Sequence, residues 1–377
     1  MMRSNPLRRL GELGQSVWYD YIRRDLITSG ELARLIEADG LRGMTSNPTI
    51  FQKAIVDTSL YDDDVRAHAA RGTAPAAIVE AVAVADVQRA ADVFRGDYDR
   101  SHGDDGFVSI EVAPGLAHDT TGSIEEARRL FRSCDRPNVM VKIPATTEGI
   151  PAIRQCLTEG IPINITLLFS VARYREVMDA YLSACEARVA AGQPIDQLPS
   201  VASFFVSRVD TNVDGKLDAI AQHGPPEHRR LASTLRGTVG VANARLAYEA
   251  FTEVFSGARF AALKKHGARV QRPLWASMSS KDPAYRDTYY MEALVAQDSV
   301  VTVPPSTFAA YRDHGDPKVR IEDDLPAAHA TFGRLDELGI DVREVFRELE
   351  DEGGAKFSES FDALLRAIEG KARAIAR

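Results

Sequence analysis

Short runs rich in β-branched and aromatic residues alternate with longer stretches of helical periodicity between about residue 16 and residue 312. Strands that alternate with amphipathic helices predict β-α-β units and a parallel sheet. Eight such runs in one chain favour an α/β fold, a closed (β/α)8 barrel of the TIM type. The runs that we interpret as strands are Ser16–Asp20, Gly43–Asn47, Phe107–Val112, Val139–Ile143, Pro162–Thr166, Val201–Phe205, Pro273–Ser277 and Ser299–Val303.

The connections between the predicted strands fit the same fold. An open, doubly wound sheet is the alternative, but no glycine-rich dinucleotide loop follows any of the early strands. The connections after the second and the sixth strands are long, and their helical patterns, Asp57–Arg95 and Arg229–Phe255, indicate inserted helices. A turn-rich segment, residues 315–326, leads to further helices at about 324–375. We therefore predict one barrel domain over residues 1–377, with its strands at about 16–303.

Alternation within the strands indicates which side chains face the interior of the barrel. Outward positions are covered by helices and should be aliphatic. In the fourth strand the aliphatic set begins at Val139, which turns Met140 and Lys142 inward. The same reasoning turns Trp275 and Ser277 of the seventh strand inward.

One interior surface thus collects an amine, two carboxylates, amides and hydroxyls. Most of them lie at or near the carboxyl ends of their strands, where barrel enzymes build their active sites. A structural ion-pair network is the alternative, but burying a lysine and two carboxylates costs several kcal/mol unless they are paired. The amides and hydroxyls suit a polyhydroxylated ligand. The inward set is Asp20, Thr45, Asn47, Glu111, Lys142, Asn164, Thr166, Ser203, Phe205 and Ser277.

The enclosed lysine carries the chemical hypothesis. Shielding from water favours the neutral amine, which forms a Schiff base with a ketone. An edge or snorkelling lysine is the alternative, but the inward position of Lys142 and the Pro144 that follows favour the nucleophile. Two carboxylates permit separate proton transfers. We predict no metal, because the histidines are scattered without an HxH or HExxH pattern and an iminium is itself an electron sink.

Composition narrows the class of protein further. A net charge of -8 argues against nonspecific nucleic-acid binding, although a phosphate ligand needs only local positive charge. No run of apolar residues is long enough to span a membrane, and the amino-terminal residues do not read as a secretory signal. Three scattered cysteines predict small buried side chains in a reducing compartment. We expect a cytoplasmic protein.

Six segments, in this order along the chain, carry most of the candidate residues. They are GMTSNPTIFQKA (Gly43–Ala54), VSIEVAPGLAHDT (Val108–Thr120), NVMVKIPAT (Asn138–Thr146), INITLLFS (Ile163–Ser170), SFFVSR (Ser203–Arg208) and LWASMSSKDP (Leu274–Pro283). Each segment alone is moderately specific. Together they resemble the transaldolase family, most closely its longer bacterial branch, from about Trp18 to Val303.

The resemblance implies a role for each candidate residue. Lys142 would form the Schiff base, and Asp20 would take the proton from the C4 hydroxyl of the sugar. Glu111 and Thr166 would hold the water that shuttles protons during imine formation. The residues implied to bind the carbon chain or the phosphate of the substrate are Thr45, Asn47, Asn164, Ser203, Phe205, Arg208, Ser277 and Lys281.

The chain departs from the better-known branch of the family after the seventh strand. Where that branch has an arginine for the phosphate, this chain has Ser279. Lys281 would substitute for it and Arg208 would carry more of the binding, since lysine binds phosphate as a point charge. A solvated loop charge is the alternative for Lys281, and the sequence leaves both open.

The resemblance implies reversible transfer of a dihydroxyacetone unit from sedoheptulose 7-phosphate to glyceraldehyde 3-phosphate, within the pentose phosphate pathway. It implies sugar phosphates as partners and no cofactor, and leaves monomer or homodimer open. One rival is a Schiff-base aldolase of the fructose-6-phosphate type that releases free dihydroxyacetone; the bulky, inward Phe205 favours exclusion of water and hence transfer. A sugar-phosphate-binding protein without catalysis is the other, against which stands the intact set of candidate catalytic residues.

Overall fold

Eight parallel strands close into a barrel in the computed structural model, which describes residues 5–375. Each strand pairs with the next along the chain, and β8 pairs with β1 to complete the ring. The predicted fold class is therefore confirmed. The strands are β1 (Gln15–Asp20), β2 (Leu41–Thr45), β3 (Phe107–Glu111), β4 (Val139–Pro144), β5 (Ile163–Leu168), β6 (Ser200–Phe205), β7 (Arg272–Ala276) and β8 (Ser299–Val303).

Helices occupy the connections and surround the barrel, so that all strands are shielded on their outer face. A 3-10 turn at Pro114–Leu116 precedes α7. The helices are α1 (Pro6–Glu12), α2 (Arg24–Thr28), α3 (Glu31–Asp39), α4 (Pro48–Val56), α5 (Asp62–Ala69), α6 (Pro75–Arg100), α7 (Thr120–Cys134), α8 (Gly149–Thr158), α9 (Val171–Ala190), α10 (Ser207–His223), α11 (Pro226–Leu235), α12 (Val239–Ser256), α13 (Ala258–Lys264), α14 (Tyr289–Ala293), α15 (Pro305–His314), α16 (Leu325–Glu337) and α17 (Val342–Ile375).

Two helices predicted as continuous are each interrupted. The stretch expected at Asp57–Arg95 contains α5 and most of α6, separated by a turn in which Gly72 has a φ of 72°. The stretch expected at Arg229–Phe255 is divided between α11 and α12, where Gly237 has a φ of 71°. Left-handed backbone ends a helix, and glycine adopts it without a Cβ penalty. Gly72 with the following Pro75, and Gly237, mark the two breaks in the sequence.

Side-chain parity is confirmed in most of the strands. Val139, Val141 and Ile143 of β4 pack in the apolar layer between strands and helices, whereas Met140 lies in the barrel interior. The side chain of Lys142 is buried on the inner face. The three cysteines are buried and free, as the sequence predicted.

In β7 the parity prediction is wrong. Trp275 belongs to the outer apolar layer and packs edge-on against Phe204, with 6.2 Å between ring centroids. Ala276 is the inward residue, and it pairs across the ladder with Phe205, whose ring fills the interior at that level. A small residue beside a large one is what the limited interior volume requires. Ser277 follows the strand with a φ of 56°.

A similar exchange of large for small occurs lower in the barrel, where Trp18 of β1 pairs with Gly43 of β2. The indole ring is fully buried and lies over the glycine backbone. A Cβ added to Gly43 would come within 2.5 Å of the ring. Glycine is therefore required at this position by the bulk of its neighbour.

The long helix α17 crosses the mouth of the barrel. It packs closely on the barrel at Gly353, where an added Cβ would lie 2.8 Å from Cδ2 of Leu167 in β5. Leu167 itself has a φ of 56°, at an irregularity in the β5–β6 ladder. Glycine within a helix costs about 1 kcal/mol relative to alanine, and the close contact accounts for its presence. Lys371 bonds to Asp62 at 2.6 Å and fixes the far end of the helix against α5.

The helices of the described range, residues 5–375, include none that combines the length and the apolar character needed to cross a bilayer.

Candidate active site

A cavity of about 230 Å³ opens at the carboxyl ends of the barrel strands, under α17. The position is the one that barrel enzymes use for catalysis. All the sequence-predicted site residues except Glu111 and Asn164 line it. The lining residues are Asp20, Thr45, Asn47, Lys142, Thr166, Ser203, Phe205, Arg208, Ala276, Ser277, Met278, Ser279, Lys281, Thr302, Pro304 and Phe357.

Lys142 extends from β4 into the base of this cavity and is only 5% exposed. Its Nζ donates a hydrogen bond to the carbonyl oxygen of Ser46, at 3.1 Å. The same nitrogen lies 3.3 Å from Oε2 of Glu111 on the neighbouring strand. The register of β3 against β4, which pairs Glu111 with Lys142, brings the two side chains together. A buried amine with one carboxylate and one free approach can act as a nucleophile on a carbonyl carbon.

Glu111 lies behind the amine and borders a neighbouring apolar cavity instead of the first one. Burial raises the pKa of its carboxyl group, and the positive charge of Lys142 opposes that rise. Oε2 is buried and has no hydrogen bond of good geometry within the described chain. The group is thus placed to exchange a proton near the amine without contacting a ligand itself.

Asp20 is oriented by a chain of hydroxyl groups at the end of β1. Thr45 Oγ1 donates to Asp20 Oδ1 at 2.7 Å, and Thr302 lies 2.8 Å from the Thr45 hydroxyl on the other side. If Thr45 donates to the carboxylate, Thr302 donates to Thr45. Asp20 lines the cavity, so its carboxylate can accept a proton from a bound hydroxyl.

Asn164 supports the floor of the cavity and does not line it. Its Oδ1 accepts a hydrogen bond from Ser203 at 2.7 Å, and its Nδ2 donates to Ser109 at 3.0 Å. The side chain is fully buried, and its partner Ser203 lines the cavity. Thr166 on the same strand has a buried hydroxyl with no partner in the described chain. It is available to hold a water molecule or a ligand hydroxyl.

Arg208, at the start of α10, and Lys281 give one end of the cavity a positive charge. The guanidinium of Arg208 lies 5.2 Å from the centroid of the Phe205 ring, and its buried Nη1 has no hydrogen-bond partner among residues 5–375. Lys281 is exposed, yet the protein around its amine partly excludes water, and this effect, with the charge of Arg208, lowers its pKa. The two neighbouring cations repel each other, and one of them has a free donor. A bound anion would remove the repulsion and accept from that donor.

Phe357 and Thr302 line the cavity and were not predicted. Phe357 comes from α17, more than fifty residues beyond the last strand, and no local pattern indicates that it reaches the site. Thr302 is an alternate residue of β8, and the parity reasoning applied to the other strands would have found it. Ser279, noted only as a departure from the family pattern, also lines the cavity and accepts a hydrogen bond from Lys281.

The geometry defines a class of protein: a parallel-barrel enzyme with a buried amine beside carboxylates and hydroxyls, and a cationic end for an anionic group. A family model described as transaldolase/fructose-6-phosphate aldolase matches residues 17–368. The chain belongs to this family, and the resemblance in the sequence is confirmed.

Individual relatives match along nearly their whole length. A transaldolase of Mycolicibacterium smegmatis is 48% identical over 372 residues, which cover 98% of both chains. Transaldolase 1 of Streptomyces coelicolor is 48% identical over 97% of this chain and 94% of its own. Transaldolase 2 of a Nostoc species is 43% identical over 99% of both.

Proposed function

We propose that the chain is a transaldolase that moves a dihydroxyacetone unit reversibly from sedoheptulose 7-phosphate to glyceraldehyde 3-phosphate. The products are erythrose 4-phosphate and fructose 6-phosphate, as in the pentose phosphate pathway. The observation that carries the proposal is the buried Lys142 amine, 3.3 Å from Glu111, at the base of a polar cavity with a cationic end. The names of the relatives support the same activity.

Lys142 passes a proton to Glu111 and attacks the ketone carbon of the donor as the neutral amine. Loss of water from the carbinolamine then gives the iminium. Glu111, whose pKa is raised by burial, supplies the proton for that loss through a water held with the free hydroxyl of Thr166. Asp20 then accepts the proton of the C4 hydroxyl, and the C3–C4 bond breaks as its electrons flow into the iminium. The enamine that remains attacks the second aldehyde, and the steps reverse. The iminium is the electron sink, so the reaction requires no metal or organic cofactor.

The cationic end of the cavity binds the substrate phosphate in this proposal. Arg208 of α10 supplies the buried donor. Lys281, on the segment after β7, supplies a second positive charge. Ser277 and Ser279 supply hydroxyls beside them. This arrangement supports the binding interpretation of Lys281 over the solvated loop charge.

Transfer is favoured over hydrolytic release of dihydroxyacetone because two phenyl rings border the cavity. Phe205 and Phe357 both line it, and each is less than 10% exposed. Apolar rings leave water fewer partners near the enamine, so the second aldehyde intercepts it. An assay for free dihydroxyacetone with fructose 6-phosphate and no acceptor separates the two activities.

The helices after the barrel belong to the same domain in this proposal, because α17 supplies Phe357 to the cavity. The cytoplasm is the proposed compartment, since the substrates are intermediates of sugar metabolism.

The decisive experiment is borohydride trapping with fructose 6-phosphate, followed by peptide mass mapping. We expect a three-carbon adduct on Lys142, which reports both imine formation and cleavage. Lys142→Ala should show no adduct and no turnover, whereas Lys216→Ala, which removes a lysine paired with Glu348 on the surface, should behave as the parent. Full activity of Lys142→Ala, or the absence of any adduct on the parent, would overturn the proposal.

A further inference from the structure

The segment between β7 and α14, residues 277–288, has no regular secondary structure, yet it forms one wall of the active-site cavity. We name it the β7 loop. It carries Ser277, Ser279 and Lys281, three of the residues at the cationic end. A loop of this length, with five of its twelve residues exposed, needs external contacts to keep one conformation.

Arg236, in the turn between α11 and α12, supplies such contacts. Its Nη1 lies 3.0 Å from the hydroxyl of Tyr285, and its Nη2 bonds to the carboxylate of Asp282; both partners belong to the β7 loop. Its Nε donates to Asp218 of α10 at 2.9 Å. One planar guanidinium therefore ties the loop to α10, the helix whose second residue is Arg208.

A second set of bonds holds the turn and the loop to the same helix. Tyr285 donates to Asp214 of α10 at 2.7 Å, and that carboxylate also accepts the backbone N–H of Gly237 at 2.8 Å. Tyr289 donates to the carbonyl oxygen of Gly237, at 2.8 Å. A Cβ at Gly237 would lie 2.6 Å from the Tyr285 ring, so the turn and the ring fit only with glycine there.

Arg236 differs in its partners from an ordinary surface ion pair. Isolated pairs on the surface contribute little, typically below about 1 kcal/mol. Arg236 has three partners on two different segments, its side chain is 30% exposed, and the Asp282 side chain is 26% exposed. Lysine could not reproduce this fork of donors.

We propose that Arg236 is a positioning residue for phosphate recognition: through Asp282 and Tyr285 it holds the β7 loop where Ser279 and Lys281 contact the substrate phosphate. The inference rests on the proposed function. The inference also assigns a role to the long β6–β7 connection, because the turn between α11 and α12 holds the β7 loop in place. Lys142 lies on β4, and its polar partners are Ser46 and Glu111, so the imine chemistry does not depend on Arg236.

The test compares Arg236→Ala and Arg236→Lys with the matched control Arg259→Ala. Arg259 of α13 has an equivalent fork of bonds, to Asp179, Ser183 and Glu186, away from the cavity. Two readouts are used: KM and kcat for fructose 6-phosphate, with inhibition by inorganic phosphate; and borohydride trapping of dihydroxyacetone, which has no phosphate.

For Arg236→Ala we expect KM and the inhibition constant of inorganic phosphate to rise by about tenfold or more, the usual effect of losing one charge-assisted hydrogen bond. Trapping of dihydroxyacetone on Lys142 should proceed at the parental rate. Arg236→Lys should fall between Arg236→Ala and the parent, and Arg259→Ala should match the parent in both readouts.

Two results overturn the inference: a KM for Arg236→Ala equal to that of Arg259→Ala, or an equal loss in both readouts, which would mean a general structural role. Failure of the proposed function looks different. In that case the parent itself gives no adduct with dihydroxyacetone.

Discussion

Replacing Lys142 by methionine tests whether Glu111 is held as a buried charge by its partner. The two side chains are 6% and 5% exposed and 3.3 Å apart. Removal of one member of a buried ion pair typically costs about 3–5 kcal/mol, because the other charge is left unpaired. The carboxyl group has a way to avoid this cost, since it can take up a proton.

Protonation of Glu111 sets an upper limit on the destabilisation caused by its unpaired charge and makes that destabilisation depend on pH. In the unfolded chain the carboxyl has its ordinary pKa of 4.5, and burial raises the pKa in the folded protein. Protonation of such a group at pH 7 costs roughly 3 kcal/mol, and at pH 5 roughly 1 kcal/mol. Because the folded pKa is the higher one, the penalty is full above it and disappears as the pH falls towards 4.5. The part of the loss for Lys142→Met that comes from Glu111 should therefore be at most about 3 kcal/mol at pH 7, and smaller at pH 5.

Urea unfolding followed by tryptophan fluorescence measures this difference, because Trp18 and Trp275 are both fully buried. Lys142→Met combined with Glu111→Gln is the matched control. The double variant has no charge to bury, so it should lose the pH dependence and recover part of the stability. Any remainder that does not vary with pH belongs to the carbonyl of Ser46, which has lost its donor. A destabilisation of Lys142→Met that is equal at pH 5 and pH 7 would refute the reasoning.

Three further predictions concern other parts of the molecule. Asp20→Asn should still form the imine but should cleave the C3–C4 bond about 10²- to 10⁴-fold more slowly, so that trapping yields a six-carbon adduct; a three-carbon adduct at the parental rate would contradict the role. Gly43→Ala should lower the free energy of unfolding by about 1–3 kcal/mol, because its Cβ would lie 2.5 Å from the Trp18 ring; an unchanged urea midpoint would argue against that contact. Burial raises the pKa of Asp210 from 3.8 to about 7, so the parent should lose stability as the pH rises through that interval, by up to roughly 4 kcal/mol. Asp210→Asn should lack this loss in urea titrations at pH 5 and pH 8, and parallel profiles for the two proteins would disprove it.

The barrel and most of the site could be predicted because both follow from short-range alternation. In each strand the face covered by helices is a row of alternate aliphatic residues. The residues between them then face the barrel interior. In β3 and β4 this reasoning brought Glu111 and Lys142 onto adjacent inner positions, as their pairing in the ladder has them. The assignment of chemical roles to these residues remains a prediction.

The errors occur where distant parts of the chain decide the outcome. The prediction for Trp275 is wrong because an aromatic residue packs equally well on either face of a strand. The ring of Phe205 on β6 leaves room in the interior only for Ala276. The role of Asn164 in ligand binding stays a prediction, but the sequence did not indicate its contacts with Ser109 and Ser203, which come from the two neighbouring strands. The break at Gly237 is of another kind, because a glycine with left-handed backbone is a local signal for the end of a helix.

Closure of the barrel by β1 and β8 has a consequence for folding of the chain during its synthesis on the ribosome. Gln15 of β1 bonds to Ser299 of β8, 284 residues later in the chain. At a synthesis rate of roughly 5–20 residues per second, β1 waits about 15 to 60 s for that neighbour. During this interval its unpaired backbone can template pairing with another nascent chain. Slower translation lengthens this exposure, and the yield of folded protein should then depend on how long the first strand remains without the last.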